Sequence, residues 1–337
     1  MLDFLDFFFL LRYSFNSHFL YKSVVFFSPA KYLEQSIFSM ASAAVLPTPV
    51  NGTSIAVEER PKMEQGQAVK MPTIADIGPP KFDDPYKARE YYKGRLTLAF
   101  RIFAKYGFDE GVAGHITFRD PVEPTSFWVN PFGVAWPTLT ADDLILVNKE
   151  GKVVEGGKVR LLNAAAYMIH HAVHEARPDV MCVAHSHSLY GRAFCALGRN
   201  LDITTQDSCA FYNDIALYNQ FKGTVLAAEE GRQIASALGS RKAALLQNHG
   251  LLTCGKTIES TIFWFMSLEK SCHAQLLADA AAAGRGGVTV KINDDDALET
   301  YKTVGTEMAG WFSAKPVFDI MELESRAGSL YGNYLRR

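Results

Sequence analysis

The chain has no CxxC pair, and its five cysteines (Cys182, Cys195, Cys209, Cys254 and Cys272) are an odd set. That argues against a cysteine zinc site and against a disulfide framework. Free buried thiols in a reducing, cytoplasmic setting are the simpler reading. Net charge is also lacking, since 34 basic and 36 acidic residues leave −2. With no dense Lys/Arg tract, nucleic acid is not an expected partner. No clean apolar run of about 20 residues exists, which a membrane-spanning helix requires, so stable membrane insertion is not expected. Internal repeats are absent too. What remains is an ordinary globular composition, 48% apolar and 21% charged over 337 residues, enough for one large domain or two small ones.

The first forty residues hold nine of the 23 phenylalanines. A secretory signal begins basic, runs apolar and ends at small residues. Here Asp3 and Asp6 come first, and Arg12, Asn16 and His18 interrupt the run. The segment reads as an upstream extension or a wrongly chosen start, with Met40 in a suitable start context. A cryptic targeting segment is the alternative. Residues 41–85 are rich in Pro, Ala, Gly and charge and lack sustained periodicity, so they read as a flexible arm. The expected organisation is an extension over 1–84, a domain over 85–312 and a tail over 313–337.

Apolar spacing predicts helices over 86–106, 163–175, 190–197, 229–238, 258–283 and 294–312. Strands are expected over 115–119, 127–130, 144–147, 180–184 and 243–247. The interleaving predicts an α/β domain with a sheet covered by helices.

Nine histidines are present, and three stand out by position. His185 and His187 follow the apolar run Val180–Ala184. If the strand continues through them, both rings point to the same face where the strand leaves the core. His249 follows a second apolar strand in the same way. Three neutral imidazoles suit Zn2+, with Fe2+ or Mn2+ as alternatives, and leave a position open for water or substrate. His170 and His174 are a rival i, i+4 pair on one helix, read here as packing or surface residues because no third ligand accompanies them.

The segments Arg177–His187 (RPDVMCVAHSH) and Leu246–Leu252 (LQNHGLL) resemble two signatures of the class II aldolase/adducin N-terminal domain family. Gly111–Arg119 and Val129–Gly133 resemble two earlier ones in the same order. The likeness covers roughly residues 85–310. It implies a three-layer α/β/α fold with a mixed, largely antiparallel sheet, and a metal on His185, His187 and His249. It also implies a homo-oligomer, often a tetramer, with active sites near subunit contacts.

The sugar-phosphate aldolases of that family use zinc to stabilise an enediolate, a glutamate as acid/base and small polar residues to bind phosphate. The glutamate position is Ala166 here, and the two preceding serine positions are Ala164 and Ala165. His115 stands for an asparagine and Phe132 for a threonine of the same phosphate pocket. Alanine neither moves a proton nor donates to an oxyanion. The standard mechanism on a phosphorylated sugar is therefore not expected.

Other groups must then move protons, and Gln206, Asp207 and Tyr212 are the candidate catalytic residues. Cys209 is a further neighbour, and metal-bound hydroxide is another source of base. His115, Arg119, Asn130 and Gly133 are candidate substrate-binding residues, with Arg119 as a fork for a carboxylate. The expected function is a metal-dependent lyase acting on a small non-phosphorylated hydroxy- or oxo-carbonyl compound, by retro-aldol cleavage or decarboxylation. An adducin-like module touching actin, without catalysis, is one alternative, although adducin's long lysine-rich tail is absent. An iron-dependent oxidative enzyme using the same site is the other.

Overall fold

The computed structural model describes residues 77–223 and 228–327. The readings made above for residues 1–76 lie outside the described residues, as do positions 328–337. Order is described from just before helix α1, Pro85–Lys105. Asp84 caps that helix by accepting from the Tyr86 amide at 2.9 Å, and Pro85 opens its first turn, where a missing N–H costs nothing.

Eight strands form one sheet: β1 His115–Arg119, β2 Phe127–Val129, β3 Ile145–Val147, β4 Val153–Gly156, β5 Cys182–Ser186, β6 Ile215–Tyr218, β7 Ala243–Leu246 and β8 Gly250–Gly255. Their order is β4-β3-β2-β1-β5-β8-β7-β6. All neighbours are antiparallel except β6 and β7, which run parallel. The mixed, largely antiparallel α/β sheet is the one expected.

Strand alternation explains the layers. Cys182, Ala184, Leu245 and Leu251 face one core, with Phe100 and Phe103 of α1 and Trp264 and Phe265 of α5 (Ile258–Ala283). Val183, Ala244, Leu246 and Leu252 face the other core. There they meet Ile169 and Val173 of α2 (Ala164–Ala176) and Ile234 and Leu238 of α4 (Ala228–Leu238). Adjacent residues of a strand thus serve opposite cores, and the sheet is a middle layer. A short helix, α3 (Leu189–Cys195), follows β5.

Three differences from the expected elements matter. The strand expected over 180–184 lies two residues later, which puts His185 inside β5. Strands β4, β6 and β8 were not anticipated: β6 is short and half-buried, and β8 is bracketed by Gly250 and Gly255, which read as turn signals. The helix expected over 294–312 is two helices, α6 (Asp294–Val304) and α7 (Glu307–Ala327), broken at Gly305.

The expected tail boundary at 312 therefore falls inside α7. That helix continues through Pro316, buries Ala314, Phe318 and Met321 in the first core, and ties to α1 through Arg101–Ser325 and Lys105–Glu324. A packed apolar face outweighs the lost hydrogen bond at one proline. Among the described residues no helix is long and apolar enough to cross a membrane.

Candidate metal centre and its cavity

His185 is the last but one residue of the fully buried β5, paired in register with His115 of β1. The alternation that sends Val183 to the α2 side sends His185 there too, and His187 two residues on. His249 stands in the hairpin between β7 and β8. Asn248 takes a left-handed φ of 57° at its tip, and the His249 amide closes the turn on the Leu246 carbonyl at 3.0 Å. Asparagine tolerates that conformation better than most residues.

Two glycines let the backbones close around His185. A Cβ on Gly250 would lie 2.6 Å from the Ser186 carbonyl, and one on Gly114, whose φ is +95°, would lie 3.1 Å from the His185 carbonyl. Beyond the site, the buried Glu269 carboxylate accepts from Ser188 Oγ and from the Tyr190 and Gly191 amides at 2.5–2.8 Å. It thereby caps α3 and fixes the chain just after His187.

The three ligand atoms of His185, His187 and His249 lie within 4.8 Å of one another. Ring centroids are 4.7–5.2 Å apart. Among the described residues this is the one His/Cys/Asp/Glu group so placed. His185 Nδ1 meets the Leu251 carbonyl at 2.8 Å. A carbonyl only accepts, so Nδ1 carries the proton and Nε2 offers its lone pair, as is typical of a ligating histidine. Burial, then the neighbouring histidines, holds His185 well below the usual histidine range and takes His249 down to about 4. Burial and Arg192 lower His187. Neutral rings with free nitrogens suit a divalent cation.

The cluster opens on a cavity of about 820 Å³. Among the described residues no Asp or Glu lines it, and the one cationic group that does is Arg192 of α3. Arg192 Nη2 donates to Glu110 Oε1 at 2.9 Å, and both side chains are 42% exposed, so an incoming anion can compete for that guanidinium. Ala165, Ile169 and Phe132 form an apolar stretch of its wall. Ala166 is buried and does not line the cavity.

Of the expected substrate residues, only His115 lines this cavity. Arg119 does not reach it. It is on the same face of β1 as His115, but four residues along, about 13 Å at the rise of a strand. Its guanidinium is taken by the carbonyls of Val180, Pro124, His174 and Arg177 at 2.6–3.1 Å, two of them at the negative end of α2. Asn130 follows β2 with the parity of Trp128, which faces the α1 core. Its Oδ1 is buried without a partner. Gly133 has a φ of +83° in the following turn and supplies no cavity wall.

The expected catalytic residues also stand elsewhere. Gln206 and Asp207 open a 3-10 turn whose Ala210 and Phe211 belong to the α1/α5 core, on the opposite face of the sheet. They line a second cavity of about 270 Å³ with Phe263 and Phe312. Tyr212 lies beside Asp294 of α6, and Cys209 is buried. None of the four lines the histidine cavity.

The i, i+4 pair expected to be packing or surface is instead part of a buried polar chain. His115 Nδ1 meets His170 Nε2 at 2.7 Å, His170 Nδ1 meets Thr117 Oγ1 at 2.7 Å, and Thr117 Oγ1 meets His174 Nε2 at 2.9 Å. Arg192 and this chain are the features that sequence reasoning missed. The alternation of His115 and Thr117 in β1 was the available signal for the chain, once paired with the spacing of His170 and His174.

Known proteins are similar to this chain in sequence and in fold. The sequence model of the class II aldolase and adducin N-terminal domain matches residues 94–276. Decarboxylase NovR of Streptomyces niveus is 43% identical over 72% of this chain and 87% of its own length. The 4-hydroxy-3-prenylphenylpyruvate oxygenase/4-hydroxy-3-prenylbenzoate synthase of Streptomyces roseochromogenus subsp. oscitans is 42% identical over 72% and 85%. A solved structure of L-fuculose 1-phosphate aldolase from Glaciozyma antarctica PI12 superposes with a TM-score of 0.68 at 50% identity, covering 74% of this chain and 95% of that one. With the family match spanning the sheet and all three histidines, the chain belongs to the class II aldolase and adducin N-terminal domain family.

Proposed function

We propose that this chain is a metal-dependent lyase that cleaves a carbon–carbon bond in a small, non-phosphorylated carboxylate bearing a hydroxyl or oxo group. The observation that carries the reading is a three-histidine cluster opening on a cavity whose walls, among the described residues, hold one cation, Arg192, and no carboxylate. A divalent ion, zinc by the donor set, would draw electron density from a substrate oxygen and stabilise charge developing beside the scissile bond. His185, His187 and His249 would hold it. Arg192 would orient the substrate carboxylate by exchanging Glu110 for it. Ile169, Phe132 and Ala165 give their part of the wall no side-chain donor for a phosphate.

The decarboxylase name of the Streptomyces niveus relative supports this reading. A homotetramer in the cytoplasm belongs to the same proposal, supported by the five free, buried cysteines for the compartment and by family likeness for the assembly. The oxygenase name of the second Streptomyces relative favours one rival, an iron-dependent oxidation in the same site.

The test is elemental analysis of the purified full chain, followed by a screen of hydroxy- and oxo-carboxylates with and without oxygen. Zinc, with anaerobic turnover, is the expected result. Iron, with turnover only in oxygen, selects the rival. No metal in the wild type after reconstitution with either ion overturns both.

A further inference from the structure

Among the described residues the two most exposed large apolar side chains are Val288 and Val290, at 90% and 85%. They stand in the link between α5 and α6, beyond residues 94–276 that the family model matches. Gly286, with a φ of +68°, turns the chain out of α5, and Asn293 caps α6. Between them the side chains alternate. Thr289 Oγ1 donates to Asp279 Oδ1 at 2.5 Å and Lys291 Nζ to Asp202 Oδ1 at 2.6 Å, while Val288 and Val290 face solvent. A two-residue period is that of an extended strand.

One edge of this strand is taken, because the Ile292 amide donates to the Ile203 carbonyl at 2.8 Å. In an extended chain the backbone groups of successive residues point to opposite edges. Those of Thr289 and Lys291 therefore point to the other edge. Among the described residues neither makes a backbone hydrogen bond there. An apolar edge with unpaired N–H and C=O groups is a template for a further strand.

The geometry points to a second copy of this chain as the partner: Val288–Ile292 pairs antiparallel with the same segment of that copy, about a two-fold axis at Val290. The segment is self-complementary in this register. Thr289 opposes Lys291 of the second copy, so the hydrogen-bonded pairs of the ladder fall on the residues whose backbone groups are free. Val290 opposes Val290, and Val288 opposes Ile292, as β-branched cross-strand pairs with no two lysines face to face. The flanks also match. Arg285 and Asp295 stand equally far from Val290 on either side, and among the described residues neither makes an ion pair. The two-fold axis brings the Arg285 end of each copy to the Asp295 end of the other. With the second edge held by Ile203, pairing closes at two copies and does not grow into a filament. The inference is independent of the lyase reading, which uses none of these residues.

The register dictates which cysteines can meet. Opposed residues outside the hydrogen-bonded pairs have Cα atoms about 4.5 Å apart, within disulfide reach. Val290 is such a residue opposite itself, whereas Val288 lies about 13 Å along the strand from its own counterpart. Under mild oxidation the full-length Val290→Cys variant is therefore expected to run as a disulfide-linked dimer on a non-reducing gel. Val288→Cys and the wild type, whose five cysteines are buried, are expected to run as single chains. A single-chain Val290→Cys overturns the inference. Cross-linking of Val288→Cys as fast as Val290→Cys overturns it too, since random collision would then explain both. Val290→Lys sets like charges opposite each other and is expected to halve the molar mass in light scattering, with Tm unchanged because the residue is exposed. An unchanged mass would show that no association runs through this edge.

Discussion

His185, His187 and His249 turn their free nitrogens toward one cavity, whereas His115, His170 and His174 turn theirs toward one another. The groups are neighbours: the rings of His115 and His185 are 5.0 Å apart, and their residues pair directly between β1 and β5. Burial lowers all six rings below the ordinary histidine range. Partner supply is what separates them. His185 spends one nitrogen on a backbone carbonyl, and among the described residues no hydrogen bond competes for the rings of His187 and His249. In the second group each ring is an acceptor or donor for the next. A buried histidine is thus free to take a metal where the fold withholds partners, and is a structural link where it provides them.

Removing a ligand should break this contrast most severely. His249→Ala is expected to lose both stoichiometric metal and turnover, measured by elemental analysis and the carboxylate screen. Retention of stoichiometric metal by that variant would remove His249 from the ligand set. Thr117→Val, in the other group, should keep its metal.

The contrast also shows how much could be read from residues alone. The cluster of His185, His187 and His249 was legible because each follows an apolar run, and a strand's two-residue period fixes which way a ring points. The layered fold was legible for the same reason. The buried chain was only half legible: alternation puts His115 and Thr117 on one face, but their contacts depend on β1 lying beside β5 and under α2, which no local pattern encodes. His170 and His174 looked like an ordinary amphipathic pair until Thr117 supplied the atom between them. Arg119 and Arg192 were effectively exchanged. Arg119 sits in a recognisable motif but at the wrong end of its strand. Arg192 is on a short helix with no motif, and only the path of the chain after His187 brings it to the cavity.

That exchange gives the next prediction. Arg192→Ala should raise KM for a carboxylate substrate by about 10- to 100-fold, the worth of one charge-assisted hydrogen bond of roughly 1.5–3 kcal/mol, with little change in Tm. Arg119→Ala should do the reverse. It removes the donor from four carbonyls and is expected to lower stability by about 3 kcal/mol, with KM unchanged in the folded fraction. Equal KM effects in both variants would remove the assignment of Arg192 to substrate.

The buried group should also register in the pH dependence of stability. His174 is pushed from 6.5 down to about 3, chiefly by burial. Above pH 6.5 the folded and unfolded chains are both unprotonated at this ring, so its contribution is constant. As pH falls below 6.5, the unfolded chain takes a proton that the fold refuses, and stability drops until pH reaches about 3. At pH 5 the loss from this ring alone is about 2 kcal/mol. His174→Gln keeps a partner for Thr117 but has nothing to titrate. Urea unfolding of metal-free protein at pH 7 and pH 5 should therefore show a smaller drop in the variant, by about that amount. An unchanged drop would mean that the ring is protonated in the fold.

The smallest effect is expected across the sheet. Gln206 and Asp207 line the second cavity and Tyr212 lies beside Asp294, while the core residues of their turn pack on the face of the sheet opposite the three histidines. Gln206→Ala and Tyr212→Phe should change kcat and KM by less than about twofold, the range for substitutions away from buried or reacting groups. Within one chain the geometry allows nothing larger, because no atom of this turn lines the histidine cavity. A tenfold fall in kcat with Tm and metal content intact would therefore carry specific information. It would mean that this face lies against the histidine cavity of another copy, so that one subunit's turn completes its neighbour's site. Mixing a Tyr212→Phe variant with a His249→Ala variant would then recover activity in mixed oligomers, which two defects in one chain's own site could not do.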